Sequence, residues 1–347
     1  IDDVHAMVPP DELFAVNGLQ FLPFTTLYQL VAEQRGGLWE QVADVVLLPD
    51  LLAHGLTGEL RTEATNASTT GLLDVRTGRW STDLLDRLGL PAEVLPPIEA
   101  PGAQRGTDHR GIPVVTVGSH DTASAVVGVP ATTEAFAYIA SGTWSLVGLE
   151  RPAPVLTPAA MAANFTNEGG VDGRTRFLRN VGGLWLLQES MRTWGRDDVA
   201  GLVAEAAALP DGGPVIDVDA PALVPPGDLP GRIAAAVGRR DLDPVVTARC
   251  IIDSLATAFT RTVREAEALA GTTVEVIHIV GGGSANDLLC RRTASLAGRP
   301  VVAGPVEATA LGNVLVQARA AGALAGSLAD LRAVLAASVD LRRFAPA

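Results

Sequence analysis

Apolar and polar positions alternate along this chain in two rhythms, and where the rhythm changes the sequence predicts an element boundary. From Thr25 to Arg35 the apolar residues Leu27, Leu30 and Val31 recur at helical spacing and predict a helix with one buried face. Asp44 to Asp50 is a short apolar run broken by Pro49, and the spacing after it predicts a helix over Leu51 to Gly55. Residues 96–112 are rich in Pro and Gly and read as loop. Ile112 to Gly118 is a β-branched run that predicts a buried strand, ending in Ser119-His120-Asp121 and opening into a helix over Thr122 to Gly128.

The second half shows the same alternation more strongly. Ala135 to Ala140 and Trp144 to Leu149 read as two strands joined by the small-residue turn Ser141-Gly142-Thr143, a β-hairpin. A helix over Leu184 to Thr193 follows, then a Pro/Gly-rich crossing over 210–231 and a long helix from Pro244 to Ala270. Thr273 to Val280 reads as a strand that runs straight into Gly281-Gly282-Gly283-Ser284. Asn286 to Ala297 reads as helix and Pro300 to Ala303 as another strand. Mixed helices and strands in two successive units, with no short repeat, predict an α/β protein of two domains around a cleft.

Composition narrows the chemistry. The 347 residues are 48% hydrophobic and 19% charged, enough apolar material for well-packed cores. The longest apolar stretches are interrupted well before the roughly 18–20 residues that a membrane span needs. Ile1-Asp2-Asp3 lacks the basic start and apolar block of a signal peptide, and the chain does not begin with Met. A net charge of −13, from 26 basic and 39 acidic residues, argues against a nucleic-acid partner, which needs a basic face to displace counterions. Every basic residue is Arg, so these residues contain no Walker-type, Schiff-base or protein-kinase-type lysine. Backbone N–H groups and a metal can still hold a nucleotide's phosphates without a basic surface. Cys250 and Cys290 stand in separate apolar contexts and read as buried thiols in a reducing cytoplasm.

Five groups of residues are candidates for chemistry, and each has a structural alternative. Asp121, in Ser119-His120-Asp121-Thr122, is placed to act as a general base that accepts a hydroxyl proton, or as the N-cap of the helix after it. His120 by itself reads as a packing or orienting residue. Ser141-Gly142-Thr143-Trp144-Ser145 offers N–H groups and hydroxyls that suit phosphates, and equally makes an ordinary hairpin turn. Gly281-Gly282-Gly283-Ser284, between strand and helix, suits the flat face of a nucleotide or a tight turn; it is not the spaced dinucleotide fingerprint. Asn164 to Gly170 and Gly304 to Ala308 are polar islands that read as turn chemistry or as site. Trp185, at the front of an apolar helix, reads as core.

In this order, the segments resemble the FGGY family of carbohydrate kinases. Gly18-Leu19-Gln20-Phe21-Leu22-Pro23-Phe24 and Thr65-Asn66-Ala67-Ser68-Thr69-Thr70 carry the likeness, with His120-Asp121-Thr122 and Ser141-Gly142-Thr143-Trp144. Asn167-Glu168-Gly169-Gly170, Asn180 to Gln188, Gly281 to Gly283 and Gly304 to Ala308 complete it. The Phe-Leu-Pro-Phe and Gly-Leu-Trp-Leu-Leu-Gln stretches point, within that family, to kinases of L-rhamnulose. The resemblance implies the two-domain ribonuclease-H-like, actin-type ATPase fold with its active site in the inter-domain cleft. Residues 1–131 would be the remainder of the sugar-binding domain and 132–347 the ATP-binding domain.

The same resemblance implies ATP-dependent phosphorylation of L-rhamnulose to L-rhamnulose 1-phosphate, with Mg²⁺ bridging the phosphates. Asp121 matches the family's catalytic base, and His120 and Thr122 would line the ketose beside it. Gly142 and Thr143 match phosphate contacts, Asn180 and Gln188 nucleotide contacts, and Gly281, Gly282 and Gly283 the adenosine shelf. No metal ligand is assigned. L-Fuculose and L-ribulose are alternative substrates, and a non-catalytic nucleotide or sugar sensor is an alternative of another class. The family's opening segment, with its Asp-x-Gly phosphate loop and several sugar contacts, is not among these residues, and Pro101 to Ile112 is shorter than the family leads one to expect.

Overall fold

The structure, a computed structural model, describes residues 1–37 and 39–346. The chain forms two compact units that interleave in sequence: residues 1–128, 150–178 and 309–335 make one, and residues 129–149, 179–308 and 336–347 the other. Among the described residues no helix is long and apolar enough to cross a membrane.

In the first unit, helices Thr26–Gly36 and Thr82–Leu88 close over a core of Leu13, Leu27, Val31, Leu72, Leu84 and Leu85. The predicted spacing of Leu27 and Val31 puts both inside. Leu30 packs against that core from its edge. The expected helix after Pro49 forms as Leu48–Thr57 but turns its leucines outward; Leu48, Leu51, Leu52 and Leu56 are all exposed. What it buries is Asp50, which pairs with Arg105 at 2.8 Å.

The run Ile112 to Gly118 is not a buried strand. Only Pro113–Val115 is extended, paired with Gln104–Thr107, and Ile112 lies exposed. Val114 and Val115 are only half-buried, because a small two-stranded ribbon cannot enclose both of the faces to which successive residues point. The helix after it runs Asp121–Val127 and is buried over Thr122 to Val127. It is anchored at both ends. Ser124 Oγ donates to Gly118 O at 2.7 Å, and the buried Arg332 donates to Val126 O at 2.9 Å while pairing with both oxygens of Glu150. Gly312, on the Ala308–Ala320 helix, crosses it so closely that a Cβ there would lie 1.8 Å from Ser124 O.

The polar island Asn164 to Gly170 contains a strand, Thr166–Gly169, in antiparallel register with Thr175–Leu178. Polar residues are buried here because each finds a partner. Asn167 accepts from Val155 N at 2.7 Å and donates to Gly18 O and Val155 O at 3.1 Å, and Arg176 lies directly opposite Glu168.

The second unit is built on strands in the order Arg342–Phe344, Val301–Ala303, Val276–Val280, Phe136–Ser141 and Trp144–Arg151. The hairpin pairs as predicted, from Ala137↔Leu149 to Ser141↔Ser145. Val276–Val280 runs parallel to Phe136–Ala140, with Val280 beside Ala140. The long helix spans Pro244–Ala270. Its start is fixed by Asp243, whose side chain accepts from Val245 N, and by Pro244 in the first turn; its end is fixed by Gly271 in the left-handed region. Ile251, Ile252, Leu255, Phe259 and Val263 are all but fully buried on it, each worth roughly 1.5–3 kcal/mol of transfer free energy. Cys250 and Cys290 are free thiols and both are buried.

Candidate active site

The candidate residues fall into two sets, each inside one unit. In the first unit the chain leaves Pro113–Val115, passes Gly118 and Ser119, and enters the helix at Asp121. His120 holds the cap position and makes no side-chain capping bond, so the cap alternative for Asp121 does not apply. Asp121 is the first helical residue and its side chain is 83% exposed. One carboxylate oxygen accepts from Thr122 N at 2.6 Å and from Thr122 Oγ1 at 3.3 Å. A carboxylate in the first turn is favoured by the helix dipole. Thr122 itself is buried, so the sequence's three-residue group splits into an outward acid, a half-buried imidazole and a buried threonine whose hydroxyl turns to the acid.

Two neighbours that sequence reasoning did not assign hold this group in place. Glu63, 1% exposed, accepts from Ser119 N at 3.0 Å and Ser119 Oγ at 2.7 Å, immediately before His120-Asp121. The same carboxylate accepts from Thr65 N, Thr65 Oγ1 and Asn66 N, and Thr65 Oγ1 in turn accepts from His120 N at 3.3 Å. Burial pushes the Glu63 carboxyl up, and the four donors of Thr65 and Ser119 pull against that shift. The second neighbour is the Glu168–Arg176 cross-strand pair, at 3.0 Å, which flanks the His120 ring. Burial, and then the Arg176 charge, hold His120 below its ordinary pKa. Arg176 had no sequence signal of its own, since Arg174 and Arg179 stand beside it in the same stretch and its partners Glu168 and His120 come from elsewhere in the chain.

In the second unit the structure brings together three of the singled-out segments and borders them with a fourth. Because Val280 lies beside Ala140, the glycine run starts next to the hairpin tip. Gly281 has φ 79°, and a Cβ there would lie 2.8 Å from Ser141 O; at Gly283 it would lie 2.2 Å from Ser141 Oγ. Neither position tolerates a side chain. A Cβ on Gly282 would meet nothing within 4 Å, so this glycine presents open backbone. The carbonyls of Gly142 and Thr143 accept from Leu184 N and Trp185 N, both at 3.0 Å, which ties the tip to the start of the Trp185–Trp194 helix. Gly304-Pro305 borders the run through a 3.1 Å bond from Gly281 N to Pro305 O.

Thr143 is exposed at the tip. Gln188 is exposed on the first turn of the helix, Asn180 is half-buried on the strand before it, and Trp185 is half-buried rather than core. Among the described residues no three of His, Cys, Asp and Glu come together as a metal site. The second-unit arrangement therefore offers an open glycine shelf and a polar tip, which suit a nucleotide. The first-unit arrangement offers an exposed carboxylate with a rigid support, which suits a hydroxyl.

Comparison with known proteins bears on both sets. Residues 2–128 match the N-terminal domain of the FGGY family of carbohydrate kinases, and residues 137–321 match its C-terminal domain. The chain is 42% identical over 347 aligned residues to the rhamnulokinase of Klebsiella pneumoniae subsp. pneumoniae, covering 96% of this chain and 70% of that protein. It is 41% identical to the rhamnulokinase of Pectobacterium carotovorum, covering 99% and 71%. Among solved structures it resembles Plasmodium falciparum glycerol kinase with ADP, at TM-score 0.79 and 15% identity over 99% of this chain and 72% of that one. It also resembles xylulose kinase from Rhodospirillum rubrum, at TM-score 0.77 and 18% identity over 100% and 72%. These likenesses give the fold as the expected two-domain, actin-type ATPase fold of sugar kinases. The chain belongs to the FGGY family of carbohydrate kinases and is a sugar-phosphorylating enzyme.

Proposed function

We propose that the protein transfers the γ-phosphoryl group of ATP to the primary hydroxyl of L-rhamnulose, giving L-rhamnulose 1-phosphate, in the cytoplasm. The observation that carries this reading is Asp121: a carboxylate at a helix start, 83% exposed, held by Thr122 and buttressed through Ser119 by Glu63. It takes the hydroxyl proton as the sugar oxygen attacks phosphorus, and His120 and Thr122 line the ketose. In place of a single boundary after residue 131, with 1–131 for the sugar and 132–347 for ATP, the sugar-binding remainder is taken as the first unit, which includes 150–178 and 309–335, and the ATP-binding domain as the second. On that second domain Gly281, Gly282 and Gly283 form the adenosine shelf, Gly142 and Thr143 face phosphates, and Asn180 and Gln188 contact the nucleotide.

The open Gly282 backbone fits a flat base or ribose, and the choice of L-rhamnulose among ketoses rests on the 42% identity to a rhamnulokinase. Mg²⁺ would be held chiefly by the phosphates, with one or two carboxylates, and would neutralise charge on the transferring group. The test is ATP consumption with Mg²⁺ across L-rhamnulose, L-fuculose, L-ribulose and D-xylulose. A preference of tenfold or more in kcat/KM for L-rhamnulose, about 1.4 kcal/mol, is expected. A higher kcat/KM for another ketose reassigns the substrate. ATP binding without ketose-dependent turnover would favour the sensor.

A further inference from the structure

Arg176 is wholly enclosed, and its guanidinium carries donors only. Its Nε donates to Gly169 O at 2.9 Å, which fixes the head group against the strand. Its Nη2 lies 3.4 Å from His120 Nδ1. An arginine N–H cannot accept, so the ring nitrogen that faces it must present its lone pair. In a neutral imidazole the single proton then sits on Nε2.

The charged groups around the ring agree with that assignment. Glu168 lies opposite Arg176 in strand register, and its Oε2 is 3.0 Å from Arg176 Nη2 and 4.0 Å from His120 Nε2. A protonated Nε2 faces this carboxylate favourably. Asp121, on His120's own helix, has Oδ1 3.8 Å from Nδ1, too far for a hydrogen bond. An imidazolium would set N–H against N–H and cation against cation at Arg176. Burial and Arg176 both act against it, outweighing the two carboxylates.

We propose that Arg176 is a positioning residue that holds His120 as the neutral Nε2–H tautomer, so that His120 offers the acceptor sugar a fixed hydrogen-bond donor and leaves proton abstraction to Asp121. What the sugar meets rests on the proposed function; the tautomer does not. The His120 donor would then read an oxygen lone pair on the ketose, a contact that rejects an analogue lacking that oxygen.

Long-range ¹H–¹⁵N correlation on the full chain labelled with ¹⁵N-histidine tests this directly, with His120 assigned by loss of its signals in His120→Gln. The expected spectrum has an unprotonated Nδ1 and a protonated Nε2 at neutral pH, kept as the pH falls to the ordinary imidazole value of about 6.5. A proton on Nδ1, an average of the two tautomers, or an imidazolium appearing above about pH 6.5 would overturn the proposal. Arg176→Met combined with Glu168→Gln strands no charge and should produce mixed tautomers and a titration moved to higher pH. A folded double variant with the wild-type tautomer would show that Arg176 is not the cause.

The donor role is read separately, in the KM for the ketose. The amide nitrogen of His120→Gln reaches the Nε2 position and that of His120→Asn does not, so the Gln variant should have a sugar KM about tenfold below the Asn variant. Equal KM values with the expected spectrum would remove the donor role and leave the tautomer standing. A wild type that consumes no ATP with any ketose would defeat the proposed function instead.

Discussion

Glu63→Gln tests how the first unit builds its site. The carboxylate is 1% exposed and accepts five hydrogen bonds. One oxygen takes Thr65 Oγ1 at 2.6 Å, Ser119 Oγ at 2.7 Å, Ser119 N at 3.0 Å and Asn66 N at 3.2 Å; the other takes Thr65 N at 2.8 Å. Glutamine keeps the shape but turns one oxygen into a donor. With the amide oxygen kept at the four-donor position, the NH₂ group faces Thr65 N–H, donor against donor. That contact loses one bond and leaves buried donors unpaired, at about 1–3 kcal/mol. The four remaining bonds lose their charge assistance, up to about 1 kcal/mol each, partly offset by the cheaper burial of a neutral amide.

The net expectation is a loss of about 2–4 kcal/mol in the unfolding of this unit. Because Ser119 is the residue before His120-Asp121, its release should also displace the acid, and a shift near 1 Å can lower kcat about a hundredfold. Urea unfolding and steady-state kinetics on the same preparation measure both effects. Stability within about 0.5 kcal/mol of wild type together with an unchanged kcat would rule out this role for Glu63. Lost stability with an intact kcat would leave Glu63 a purely structural hub.

Gly282→Ala meets no atom within 4 Å, so it should leave the unfolding free energy within about 0.5 kcal/mol of wild type while raising the ATP KM about tenfold; an unchanged ATP KM would remove Gly282 from the nucleotide shelf. Arg332→Met leaves the buried Glu150 with Arg174, at 3.7 Å, as a cationic neighbour, and should cost about 3–5 kcal/mol in urea unfolding, much of it recovered by adding Glu150→Gln. A loss below about 1 kcal/mol would contradict the buried pair. Burial pushes the Cys290 thiol up to about 12 and raises Cys250 as well, so neither should react with a thiol reagent at pH 8 until the chain unfolds, when both should. Rapid labelling of either in the folded protein would contradict their burial.

What the sequence made legible follows from where its signals are local. The Pro244–Ala270 helix has its predicted bounds because Asp243, Pro244 and Gly271 mark cap, first turn and stop without tertiary help. The hairpin around Gly142 and the glycine run after Val280 are equally local, and register alone then sets Gly283 against Ser141. The strand within Asn164 to Gly170 was hidden because Asn167 and Glu168 are buried by virtue of partners from elsewhere in the chain, Gly18, Val155 and Arg176. Glu63 was hidden for the same reason, since its importance lies in Ser119, far along the sequence. Ile112 to Gly118 failed in the opposite sense: β-branched composition suggested a buried strand, but the chain there forms a half-exposed ribbon.

In the proposed function, Asp121 removes the proton of the hydroxyl that attacks ATP. The most direct measurement is kcat for Asp121→Asn with L-rhamnulose and Mg²⁺, beside the ATP dissociation constant of the same variant. The expected result is a fall in kcat of about 10²–10⁴ with the ATP constant within about a factor of two of wild type. A kcat near wild type, or a loss of ATP binding equal to the loss of turnover, would contradict it.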